Sequence, residues 1–145
     1  MKNLLLILFF IYLLTSFVKS NELNPLSKYS DENNNKSNKF SYDFHSRCTA
    51  LFIYSSNLMK DPKMKEMKEE FYTVGSVFYK KASAIAGALH DNKGWEEELK
   101  KKISLFIDIY TDLGIKNYKK NKEYLTKLHF SDIEVCSDFY KKKLL

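Results

Sequence analysis

The sequence predicts an all-α protein: a small four- or five-helix up-and-down bundle with one disulfide between its first and last helices. Three observations carry this reading. From Ser41 onward, apolar side chains recur at steps of three and four, the spacing of one helical face. No stretch shows the strict alternation of a half-buried strand, and the chain holds only four glycines and two prolines to break helices. Its two cysteines, Cys48 and Cys136, fall in the first and last helical segments, and two thiols allow a single intramolecular pairing.

The first helix carries the stripe Phe44, Cys48, Leu51, Phe52, Ser55, Leu58 and Met59. Asp61 before Pro62 starts the next segment, because aspartate is a good N-cap and proline suits a first turn. Its stripe is Met64, Met67, Phe71, Val74, Phe78, Ala82, Ile85 and Leu89, and the turn residues Asp91 to Gly94 end it. A third helix carries Trp95, Leu99, Ile103, Phe106, Tyr110 and Leu113. Glu96, Glu97 and Glu98 favour its positive dipole end, and Gly114 is placed to cap its C-terminus. Tyr118 to Leu128 reads as a further short helix whose stripe is diluted by lysine. The last helix is expected to start at Ser131-Asp132-Ile133-Glu134, a capping box with Phe130 and Val135 as its hydrophobic staple. It continues through Cys136, Phe139 and Tyr140.

The N-terminus has a different character. Lys2 precedes the uncharged run Leu4 to Leu14, and Val18-Lys19-Ser20 follows. This is the layout of a cleavable secretory signal spanning residues 1–20, with a run shorter than the roughly 20 residues a membrane-spanning helix needs. The expected location is therefore exported, periplasmic or extracellular. An even cysteine count in an exported chain reads as a disulfide, since those compartments are oxidising. Residues 21–40 are polar, carry Pro25 and lack an apolar period. They read as a flexible arm with no core residues, leaving 41–145 as the helical domain.

The formal net charge is +6. Removing residues 1–20 takes away two lysines and no acid, which leaves +4. Every basic residue except Arg47 is lysine, and many alternate with acids, as in Lys65 to Glu70. Nucleic-acid surfaces lean on arginine for bidentate contacts, so no nucleic-acid partner is expected. Basic clusters at Lys116 to Lys122 and at Lys141 to Lys143, with nearby tyrosines, suit weak contact with an anionic membrane surface.

No motif of catalysis is present, and the chain is read as a non-enzyme. The bundle di-metal pattern of paired Glu-x-x-His, the Gly-rich phosphate loop and the Cys-x-x-Cys-His haem attachment are all missing. His45, Cys48, His129 and Cys136 would make a zinc set only with both thiols reduced. The simpler reading is a Cys48–Cys136 disulfide with two surface histidines and no cofactor. Small residues gather at Ala82 to Ala88, either to accept bulky rings or to offer a binding face. The expectation is an interaction, adaptor or chaperone-like protein of the envelope or secreted space, acting on another protein. The alternative is a carrier of haem or another small apolar ligand between helices.

Overall fold

The computed structural model describes residues 23–27, 38–89 and 94–143; the expected signal at 1–20 lies outside them. Four helices follow in order: α1 (Asn38–Leu58), α2 (Lys65–Leu89), α3 (Trp95–Asn121) and α4 (Lys127–Lys143), with a 3₁₀ turn at Pro62–Met64 before α2. No strand occurs among the described residues, and the all-α bundle stands. Asp61 caps the 3₁₀ turn by accepting the Lys63 N–H.

The helices are arranged around α1, against which α2, α3 and α4 all pack. Between Tyr42 and Ser56, only Asp43 and Ile53 are not fully buried. A helix so rich in hydroxyls can sit in an interior because most of them bond back to their own backbone. Ser46 Oγ donates to the Tyr42 carbonyl, Thr49 Oγ1 to His45 and Ser56 Oγ to Ile53. One apolar cluster surrounds the disulfide, with Phe44, Leu51, Phe52, Val74, Phe78 and Tyr110 as its body. A second joins Tyr42 and Ala50 to Ala82, Ala86, Leu99 and Ile103. The small residues of α2 thus accept bulky partners, among them Tyr42, Leu99 and Ile103, with Phe106 packed against the same cluster.

Cys48 and Cys136 are bonded, with Cα atoms 5.8 Å apart, so α1 and α4 are direct neighbours. The bridge closes a loop with a sequence separation of 88. The entropy removed from the unfolded chain corresponds to about 4 to 5 kcal/mol as an upper figure.

Three helix boundaries differ from the sequence reading. Gly114 is not a cap, because α3 runs through it to Asn121. The helix stops where Lys122 turns left-handed, at φ 63°, and its N–H reaches back to the Tyr118 carbonyl. A separate fifth helix over 118–128 is therefore absent. The Ser131 box is also not a start, since α4 has already begun at Lys127. The preceding Thr126 fills that role: its carbonyl accepts the Phe130 N–H, and its Oγ1 lies 3.4 Å from the His129 N–H.

Gly114 is instead a crossing point. A Cβ there would collide with Tyr54 Oη and lie 2.7 Å from the Tyr124 carbonyl oxygen. Tyr54 Oη itself donates to that carbonyl at 3.2 Å, so neither neighbour can withdraw without losing a bond. Gly114→Ala should destabilise the fold by about 1–3 kcal/mol through overpacking, read as a lowered denaturation midpoint, despite the better helix propensity of alanine.

Candidate functional site

The most concentrated chemistry in the molecule is a buried polar network that joins all parts of the fold except α2. Arg47 comes from α1, Tyr110 from α3 and Asp132 from α4, and each is essentially inaccessible to solvent. Arg47 Nη2 forms an ion pair with Asp132 Oδ2. Arg47 Nε donates to Tyr110 Oη at 2.9 Å, and Tyr110 Oη donates onward to Asp132 Oδ2 at 2.6 Å. The remaining capacity is taken up by backbone. Arg47 Nη1 donates to the Asn24 carbonyl at 2.7 Å, and Asp132 Oδ1 accepts the Leu26 N–H at 2.8 Å. Burial raises the Tyr110 hydroxyl well above its ordinary pKa; Arg47 opposes this and Asp132 adds to it. The phenol therefore stays protonated and serves as a hydrogen-bond relay.

Those backbone contacts alter the reading of residues 21–40. Leu26 is buried in the main cluster, and Leu23 and Phe40 pack beside it. Residues 23–27 thus contribute to the core, and 38–40 already belong to α1. With Asp43, Phe44, Arg47 and Phe106, these three apolar residues line a cavity of about 80 Å³.

The histidines are not on the surface as expected. Both are buried, in different surroundings. His129 Nδ1 accepts the Thr126 N–H at 3.0 Å. A backbone N–H can only donate, so Nδ1 is unprotonated and the neutral ring carries its proton on Nε2. That proton faces the Tyr110 carbonyl at 3.2 Å, and the ring stacks on Tyr54. Thr126 and His129 thus reproduce a capping box in which imidazole replaces the usual glutamate. His45 donates from Nδ1 to the Ser41 carbonyl at 2.6 Å and is ringed by Phe44, Phe78 and Phe139. The four residues of the zinc expectation therefore do not form a ligand set: the thiols are bonded to each other and the imidazoles are engaged apart. No group of three potential metal ligands occurs among the described residues.

The outer face of α1 and α2 carries a different feature. Thr49 and Ile53 from α1, with Tyr72, Gly75, Ser76 and Tyr79 from α2, line an open groove of about 270 Å³. Gly75 lies buried against α1, where an added Cβ would stand 3.2 Å from Phe52 Cβ. Tyr72 is fixed at the rim by donating to Asn57 Oδ1 at 2.9 Å, and both tyrosines are partly exposed. The chain matches no protein family, no curated protein and no solved structure.

Sequence reasoning missed the network although one signal was available. Arg47 is the sole arginine among 24 basic residues, and a planar guanidinium is the cation best suited to a buried, multiply bonded pair.

Two predictions follow from this geometry. Arg47→Met should cost about 3–5 kcal/mol, because it strands the Asp132 charge in the interior. The double variant Arg47→Met/Asp132→Leu should be markedly more stable than the sum of the two single losses implies, as a double-mutant cycle by urea denaturation would show. Burial lowers the pKa of both histidines. The unfolded chain therefore takes up protons first as pH falls below about 6.5. Thermal stability should be level above that pH and decline toward pH 5, and His45→Gln/His129→Gln should flatten the decline.

Proposed function

We propose that this protein is an exported, non-enzymatic interaction module that engages another protein through the α1–α2 groove. The observation that carries the reading is a division of chemistry between interior and surface. The buried ionisable side chains of the network and the two histidines make hydrogen bonds within the protein. The exposed groove is lined by tyrosine, isoleucine, glycine and small hydroxyl residues without a charge. This is the composition of a protein-interface centre, where aromatics are enriched and charges depleted. Its Tyr72 is already held by Asn57, which lowers the ordering cost of binding.

The carrier reading is less well supported. Ligand pockets of drug-sized molecules run from about 300 to 1,000 Å³, against an inner cavity of about 80 Å³. A haem would also need axial donors, and His129 has both ring nitrogens in internal hydrogen bonds.

Export is supported by the Lys2, Leu4 to Leu14, Ser20 layout. A formed disulfide is compatible with an oxidising compartment. No helix among the described residues is long and apolar enough to cross a membrane.

The test is site-specific photocrosslinking in the native host from position 79, with a second probe at the exposed Lys101. A discrete crosslinked partner from position 79 alone, lost in Ser76→Arg with the melting temperature unchanged, is the expected result. The mature N-terminus should read Asn21 or close to it. Crosslinks indifferent to Ser76→Arg would remove the groove from the proposal. A stoichiometric lipid or pigment in the purified protein would replace it with the carrier, and an intact Met1 in the membrane fraction would overturn cleavage.

A further inference from the structure

We infer that the corner between α3 and α4 is a docking surface for an anionic lipid bilayer. Residues 116–127 hold five lysines and one glutamate, a net of +4. The whole of residues 21–145 also sums to +4, so the rest of that segment is neutral in total and the protein's excess positive charge is concentrated at one corner. Lys116, Lys119, Lys120, Lys122 and Lys127 are all exposed. Four lysines elsewhere lie beside acids: Lys65 with Glu69, Lys100 with Glu97, Lys142 with Asp138 and Lys102 with Asp43. Among the described residues none of the five corner lysines has an acidic partner.

Apolar and aromatic side chains accompany these cations. Ile115, Tyr118, Tyr124 and Phe130 are 42, 39, 43 and 57 % exposed. A phenylalanine more than half in water, in the first turn of a helix, stabilises nothing in the fold. Tyr118 and Tyr124 stack across the turn with centroids 4.4 Å apart, and Lys122 Nζ sits 5.5 Å over the Tyr118 ring. Asn117 Nδ2 holds the same turn by donating to the Glu123 and Leu125 carbonyls. The corner is therefore a fixed platform and not a loose tail.

The composition selects the partner. Protein interfaces deplete lysine and favour arginine, and base-reading surfaces use arginine's bidentate fork; the corner has no arginine. A bilayer surface asks for neither fork nor fixed register. It attracts mobile ammonium groups through the field of its anionic headgroups, while tyrosine and phenylalanine settle at the boundary between headgroup and chain. The corner shares no residue with the α1–α2 groove, so one surface can hold the membrane while the other remains open to a partner.

The experiment is co-sedimentation of the purified, disulfide-bonded protein, freed of residues 1–20, with phosphatidylcholine vesicles lacking or containing phosphatidylglycerol. Binding should require phosphatidylglycerol and weaken with added salt. Lys119→Gln/Lys120→Gln should lower the partition coefficient about tenfold or more, at roughly 1 kcal/mol per charge. Phe130→Ser should also lower it with the melting temperature retained. The control Lys65→Gln/Lys68→Gln on α2 should leave it nearly unchanged. Equal binding to neutral vesicles, no binding at all, or an equal loss in the α2 control would overturn the inference. So would a Phe130→Ser protein that binds undiminished and is displaced completely by a soluble polyanion, since the partner would then be a polyanion in solution. Because the assay uses purified protein and vesicles, its failure would leave the groove and the export reading untouched.

Discussion

A charged residue on the buried side of a helix must find every partner within the protein, and Arg47 imposes that constraint here. It lies near the middle of α1, which the other three helices surround. An unpaired guanidinium in that position would cost several kcal/mol of desolvation. The structure meets the demand by bringing Tyr110 from α3, Asp132 from α4 and the backbone of residues 24–26 to a single point. Segments far apart in sequence are thereby given one mutual arrangement. The neighbour of Arg47 is Cys48, and Cys136 stands one helical turn beyond Asp132. Two adjacent residues of α1 thus grip two positions on the same face of α4, one by charge and one by a covalent bond.

The two grips act on different states of the chain. The disulfide raises the free energy of the unfolded ensemble by forbidding its most extended members, and it contributes little to the choice among compact arrangements. The ion pair has the opposite character. A hydrophobic replacement of similar volume could match it in stability, but an apolar surface would tolerate sliding of α4 along α1. Asp132 accepts three hydrogen bonds from three directions, and any slide would break them together. The covalent link keeps α4 near and the polar network fixes its register. His129 supports the same register from the other side, because its ring joins the start of α4 to the Tyr110 carbonyl of α3.

The parts of this arrangement legible in the sequence were those written in local periodicity. The stripes from Phe44 to Leu58 and from Trp95 to Tyr110 name real helices, and the cysteine pair names the neighbours of the first and last. The network was not legible because its members look ordinary in their own segments. Asp132 sits in a string that satisfies the capping-box pattern, and only the real start at Thr126 shows that it faces inward. Leu26 lies in a run of polar residues whose average conceals one buried anchor. Gly114 carries the signature of a helix end and of a close crossing equally well, and only the position of Tyr54 separates them. The network, the Leu26 anchor and the Gly114 crossing are contacts between distant segments, which neighbouring residues do not encode.

The same constraint reaches the surface, because moving one member of the network would release the register of α4. The turn joining α3 to α4 inherits this rigidity. It is bounded on one side by the helix that carries Tyr110 and on the other by the helix that carries Asp132. Its own residues are tied by Asn117, by the left-handed Lys122 and by Tyr54 Oη on the Tyr124 carbonyl. Leu125 is the side chain that this short connection turns toward the core, while Tyr118, Tyr124 and the five lysines stand outward on it and on the flanking helix ends. The groove of α1 and α2 lies outside that network, where Gly75 lets the two helices approach closely. Core and surface features therefore have one origin: the pairing that fixes the helices also decides which of their side chains are left for something else to touch.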